Sequence, residues 1–184
     1  MKSTIRGAVV GLAVMLVAQA AHAQAMSFGF GGGLVVPTGT LGDGYSTGYS
    51  GSALVRVQPP ASPVGFQVDA FYTRFGLQNG VDGHGQMIGG TANAVFAFPG
   101  ASMARPYLIG GLGLYNNKVS IDGLGSSESQ TKFGINAGAG FDFGLGKAKM
   151  YAEGRFHAIM KGVADANGDE KAAYMIPLTV GLRF

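Results

Sequence analysis

From Met26 onward, apolar side chains fall at every second position in runs of eleven to fifteen residues, and stretches containing Gly, Pro, Ser or Asp separate the runs. The last run shows the pattern most plainly. Tyr174, Ile176, Leu178, Val180, Leu182 and Phe184 alternate with Met175, Pro177, Thr179, Gly181 and Arg183. A period of two marks a strand with one apolar face and one mixed face. Helical periodicity is lacking through this part of the chain, so the pattern predicts an all-β protein.

Eight strands are expected. Residues 26–36 set Phe28, Phe30, Leu34 and Val36 on one face and Gly29, Gly31 and Gly33 on the other. Residues 47–58 alternate Ala53, Val55 and Val57 with Ser52, Leu54 and Arg56. In residues 64–75, Phe66, Val68, Ala70 and Tyr72 face out, and Gln67, Asp69, Phe71 and Thr73 face in. Residues 86–98 put Ile88, Ala92, Ala94, Phe96 and Phe98 out and Thr91 and Asn93 in. Residues 105–117 form the fifth strand. The sixth, residues 131–145, carries Phe133, Ile135, Ala137, Ala139, Phe141 and Phe143 out, with Asn136 and Asp142 opposite. The seventh, residues 148–160, has Tyr151, Glu153, Arg155 and His157 on one face and Met150, Ala152, Phe156 and Ala158 on the other. Residues 174–184 are the eighth.

The connections alternate in length. Residues 37–46, 77–85, 122–130 and 161–171 read as longer loops. Residues 59–62, Pro99-Gly100 and Gly146-Lys147 read as tight turns, where Pro and Gly break a ladder. An even strand count with long and short connections in turn fits an eight-stranded antiparallel up-and-down transmembrane β-barrel. Each run is at least as long as the ~9–11 residues that a tilted strand needs to cross a bilayer. A soluble lipocalin-like barrel would need its apolar face inward and its charges outward. Twelve Phe and seven Tyr against 12% charged residues favour lipid on the outside. Small residues would then line a crowded lumen.

Composition narrows the class further. Glycine occupies 33 of 184 positions without a Gly-X-Y period, which excludes collagen. At 47% hydrophobic residues the chain does not resemble a disordered one. Without cysteine it can form neither a disulfide nor a thiolate metal site. Residues 1–23 have the layout of a secretory signal peptide: Lys2 and Arg6, an apolar stretch over residues 7–18, then Ala21-His22-Ala23. That apolar stretch is shorter than the ~20 residues of a membrane-spanning helix. Cleavage after Ala23 would leave residues 24–184 as the barrel domain. The leader holds two of the 13 basic residues and no acid, so eleven basic residues remain against ten acidic ones. No basic patch with interleaved aromatics suggests nucleic acid.

Six charges are expected to converge in the lower half of the lumen: Arg56, Asp69, Asp142, Glu153, Arg155 and Arg183. Buried charges persist only when paired and hydrogen-bonded, so a balanced ionic plug is the expectation. The competing reading is a proton or ion path, or a catalytic carboxylate. Candidate chemistry is otherwise sparse. Asp165, Asn167 and Asp169 resemble the opening of a calcium loop, but Glu170 and Ile176 stand where Gly and Glu belong. His84 is alone in its loop, and neither a metal ligand set nor a cofactor motif is evident.

PYLIGGLGLYNN at residues 106–117, MYAEGRFHAI at residues 150–159 and the closing strand ending on Phe184 resemble the small outer-membrane protein β-barrel family of OmpA-, OmpX- and opacity-type barrels. The resemblance covers essentially the whole mature chain. It implies the outer membrane of a Gram-negative bacterium, with membrane lipids and lipopolysaccharide around the barrel. It also implies Phe184 as an assembly signal read by the barrel-assembly machinery. A monomeric, non-enzymatic barrel with a side-chain-filled lumen and a structural or surface-interaction role is the function expected. The alternative is a lipid-modifying enzyme, an acyl hydrolase or transferase acting on lipid A or phospholipid. Lipid A deacylase barrels carry a Ser two positions after a His on such a strand, whereas here Ile159 follows His157.

Overall fold

Alternating segments joined by short connections pair with their neighbours in sequence, because closing a short loop costs little chain entropy. The computed structural model describes residues 26–60, 62–78, 83–99, 104–121, 125–126, 130–164 and 170–184. It is a closed antiparallel ring of eight strands. In order these are β1 (Met26–Thr38), β2 (Gly48–Val57), β3 (Val64–Gly76), β4 (Gly83–Ala97), β5 (Ala104–Ile121), β7 (Gln130–Leu145), β8 (Ala148–Ala164) and β9 (Glu170–Arg183). Between β5 and β7 lies the two-residue β6 (Gly125–Ser126), which pairs only with the tip of β5. The seam between β1 and β9 runs from Gly29 opposite Arg183 to Thr38 opposite Tyr174. Closure leaves no open edge for another chain to extend.

The two faces fall where the alternation puts them. Phe28, Phe30, Leu34, Phe66, Val68, Ile88, Leu108, Leu112, Leu114, Leu178 and Val180 are among the apolar side chains left exposed on the outside. Arg56, Gln67, Asp69, Thr91, Asn93, Asp142, Glu153, Arg155, His157 and Arg183 are buried inside. This is the inverse of a soluble barrel. In water an apolar exterior of that extent would drive association, and lipid is its natural solvent.

Three features depart from the sequence reading, all at the loop end. Strands β4, β5, β8 and β9 run further than the apolar alternation does, through polar pairs such as Gln86 opposite Lys118 and Asn117 opposite Gln130. Backbone pairing needs no apolar side chain, so the ladder continues past the bilayer-facing stretch. The loop expected over residues 161–171 is thereby shortened, with Val163 opposite Lys171 and Ala164 opposite Glu170. Second, the loop expected over residues 37–46 holds a short helix, α1 (Thr40–Gly44). Its Leu41 is 3% exposed and joins Val35, Phe75, Met87, Tyr115, Ile159, Ala173 and Met175 in an apolar cluster. The loop folds inward because that one side chain finds an apolar pocket, and Gln78 holds it by donating to the carbonyls of Gly42 and Tyr45. The third departure is β6, inside the loop expected over residues 122–130.

Many inward glycines make room for tyrosine rings. A Cβ on Gly140 would stand 2.5 Å from the ring of Tyr107, which is opposite it in the β5–β7 ladder. Gly181 stands the same way beneath Tyr151. Gly113 and Gly134 lie beneath Tyr115. At the turn end Gly146 takes φ +65° in the two-residue link between β7 and β8, a conformation that Gly adopts without a Cβ penalty. We expect Gly140→Val to lose about 1–3 kcal/mol through overpacking. Gly144→Ala, whose Cβ would meet nothing within 4 Å, should cost nothing. Urea unfolding in detergent distinguishes the two, and equal losses would refute the packing account.

Candidate functional site

The inward positions of adjacent strands come into register, and this builds the polar network. Gln67 stands opposite Asn93 and Asp69 opposite Thr91 across the β3–β4 ladder. Glu153 and Arg155 share a face of β8, two residues apart. From β8, on the wall opposite β3, Arg155 reaches across the lumen. Its Nη1 and Nη2 each donate to a different oxygen of Asp69 at 3.0 Å, and its Nε donates to Glu153 Oε1 at 2.5 Å. A guanidinium fork can hold two carboxylates in this way. Asp69 also accepts from Thr91 Oγ1 (3.1 Å), Asn93 Nδ2 (2.7 Å) and Gln67 Nε2 (2.7 Å). Glu153 accepts from the Tyr107 hydroxyl at 2.8 Å.

A second group lies toward the turn end. Arg56 Nη1 and Arg183 Nη2 both donate to Asp142 Oδ2, at 3.3 and 2.6 Å. Arg56 links the two groups, since its Nε donates to Gln67 at 2.6 Å and its guanidinium lies 4.4 Å from the centre of the Tyr107 ring. All six expected charges thus point inward, in two ion-paired groups of three. Four further partners join the cluster: Gln67, Thr91, Asn93 and Tyr107. Three of these were legible as inward positions on strands beside Asp69. Tyr107 had no such signal, because PYLIGG does not show which of its residues the pleat turns inward.

Toward the loop end the lumen changes character. His157 Nδ1 lies 2.8 Å from the Tyr115 hydroxyl, and Phe71 and Tyr115 meet the imidazole edge-on. Beyond them sits the apolar cluster around Leu41. Tyr45 packs against this cluster, and burial raises its phenol pKa, so the group stays neutral. A small cavity of about 40 Å³ between the polar and aromatic layers is lined by Ser52, Asp69, Glu153, Arg155 and His157 among others. It has room for a few waters. Ser50 also lines it, and among the described residues no hydrogen bond joins either serine to His157, whose ring faces the lumen.

Phe184 points outward from the end of β9, where its ring lies 5.9 Å from that of Phe30. Its backbone exchanges hydrogen bonds with Phe28 at 2.7 and 3.0 Å, which fastens the last residue into the seam. His84 pairs with Gln86 at 2.6 Å. The described residues contain no group of three or more His, Asp or Glu side chains able to hold a metal ion. The expected leader, residues 1–23, and the calcium-like residues Asp165, Asn167 and Asp169 lie outside the described residues.

Removing Arg155 alone would leave Asp69 and Glu153 buried and undercompensated, at a cost of about 3–5 kcal/mol. Replacing Asp69 as well should recover much of that loss. In a cycle of Arg155→Met, Asp69→Asn and the double variant, unfolded by urea in detergent, the coupling should exceed ~1 kcal/mol. Additive losses would mean that the two groups are independently solvated.

Comparison with known proteins gives the same architecture. The chain resembles the structure of Neisserial surface protein A, at a TM-score of 0.67 and 21% identity over 86% of this chain and 95% of that one. A major outer membrane protein from Thermus thermophilus matches at 0.57 and 9% identity, over 87% and 98% of the two chains. The N-terminal β-barrel domain of Pseudomonas aeruginosa OprF matches at 0.50 and 21% identity, over 88% and 98%. No curated protein matches the chain in sequence. The family described as "Outer membrane protein beta-barrel domain" matches residues 9–184, nearly the full length, and the chain belongs to that family.

Proposed function

We propose that the chain is a monomeric, non-enzymatic barrel of a Gram-negative outer membrane. Its own side chains close the lumen, and its role is structural or that of a surface-interaction element. The observation that carries this reading is the double closure. Arg155 bridges the lumen from β8 to Asp69 on β3, and the Leu41 cluster fills the loop end. An eight-stranded ring is only wide enough for its own side chains, and here these side chains meet each other. The lipid-modifying alternative needs an activated nucleophile. His157 is buried against Tyr115 instead, and Ile159 occupies the place of a nucleophile.

Planar-bilayer recording and a phospholipid-hydrolysis assay on the same purified protein test both halves of this reading. No steady conductance and no release of fatty acid are expected. Stable unitary conductance would overturn the closed lumen. Turnover that His157→Ala abolishes would overturn the non-enzymatic assignment.

The same reading has the leader removed after Ala23 and the closing strand read by the barrel-assembly machinery, with lipids and lipopolysaccharide around the finished barrel. Support comes from Phe184, whose backbone completes the β1–β9 seam, so its loss would weaken the last step of closure. Deleting Phe184 should lower the folded fraction in outer membranes, read as heat-modifiable migration on gels. The undeleted control, weighed intact, should begin at Gln24. An undiminished folded yield would remove the role of Phe184, and a mass retaining Met1 or Lys2 would remove the cleaved leader.

A further inference from the structure

Below the ionic groups the turn end opens into a concave mouth of about 560 Å³. Five cationic side chains line it: Arg56, Arg105, Lys147, Lys149 and Arg183. Asp142 is the one acidic side chain on the same lining. Among the lining side chains cations outnumber anions by five to one. The connections here add none, since residues 58–63, 98–103 and 146–147 contain neither Asp nor Glu.

Strand register spreads these charges around the rim instead of along one side. Arg105 stands opposite Asp142 across β5 and β7, Lys149 opposite Arg183 across β8 and β9, and Arg56 opposite Ser27 across β1 and β2. Their donors are incompletely used. Arg105 gives its Nε to the Phe98 carbonyl at 3.2 Å. Lys147 and Lys149 have no acid within ion-pair distance among the described residues. Arg183 is 4% exposed, yet its Nη1 has no hydrogen-bond partner among those residues. A buried guanidinium nitrogen without an acceptor is costly, and like charges around one concavity repel. Both costs fall if an anion enters. Pro59, Pro60, Pro63 and Pro99 also line the mouth, and their fixed φ angles hold its shape in advance.

We propose that this periplasmic mouth binds a phosphate ester, with the phosphate held among Arg183, Lys149, Lys147 and Arg105. Phosphate suits the site because guanidinium forks match its geometry. The volume exceeds that of a bare phosphate and lies in the range of small-molecule sites, so an organic body accompanies the phosphate. It could arrive on a soluble periplasmic molecule or as the headgroup of an inner-leaflet phospholipid; the chemistry is shared.

The test follows backbone amide shifts of the whole mature barrel in nanodiscs at low salt. One arm titrates glycerol 3-phosphate into phosphatidylcholine discs, and the other replaces phosphatidylcholine by phosphatidylglycerol. Saturable shifts at Lys149 and Arg183 are expected in at least one arm. A response to glycerol 3-phosphate identifies a soluble ester, and one confined to phosphatidylglycerol identifies a lipid headgroup. Lys147→Gln with Lys149→Gln changes two exposed side chains that no fold contact requires, and should weaken binding about tenfold, with rising salt acting in the same direction. Silence in both arms would overturn the proposal. So would shifts confined to the outer loops, or binding that the double substitution leaves unchanged.

Discussion

Closing eight tilted strands into one ring fixes an interior about as wide as the side chains that must fill it, and the rest of this molecule follows from that limit. Every inward position has to be small, or interlock with a small one, or find a partner across the axis. Tyr107 lies over Gly140 and Tyr151 over Gly181, so each bulky ring uses space that glycine leaves. Arg155 uses the remaining width to reach Asp69 on the far wall. The inward glycines beneath Tyr107, Tyr115 and Tyr151 are there because closure leaves no room for a Cβ beside those rings.

The same limit explains why polar and apolar contents separate along the axis. A charge in the narrow lumen has little water to compensate it, so it survives only where opposite charges reach it directly. Grouping three bases with three acids in one half lets each find a partner. Tyr107, Gln67, Thr91 and Asn93 then take up lone pairs and protons that the ion pairs leave over. Such a network adds little net stability compared with an apolar core, since desolvation offsets the Coulomb gain. Its geometry nevertheless ties β8 to β3 across the lumen. The loop half has no such requirement, and aromatic and aliphatic groups fill it down to Leu41 of α1.

How much of this the sequence discloses depends on the range of the interaction concerned. Face and strand order are local, and the alternation around Phe66, Val68 and Ala70 against Gln67 and Asp69 displays them directly. The six inward charges were legible for the same reason. Their pairing was not, because Arg155 and Asp69 are 86 residues apart and meet only after closure sets the register. The helix α1 leaves no trace in the pattern since five residues show no period, and its one informative residue, Leu41, looks like any stray apolar side chain in a polar loop. Strand ends extended past expectation because ladders are built from backbone, whereas alternation is a signal carried by side chains.

These constraints also separate the positions free to carry a function from those that are not. Lipid dictates the exterior, and closure dictates the lumen, which leaves the outer loops and the inner mouth. At that mouth Arg183 belongs to both regimes. Its Nη2 is tied to Asp142 within the ionic groups, while its Nη1 has no acceptor among the described residues and shares the mouth with Lys147 and Lys149. The floor of the mouth is therefore the lower end of the network that crosses the barrel. An anion at Nη1 would share this guanidinium with Asp142, which Arg56 also holds, so the mouth and the ionic groups meet at one residue.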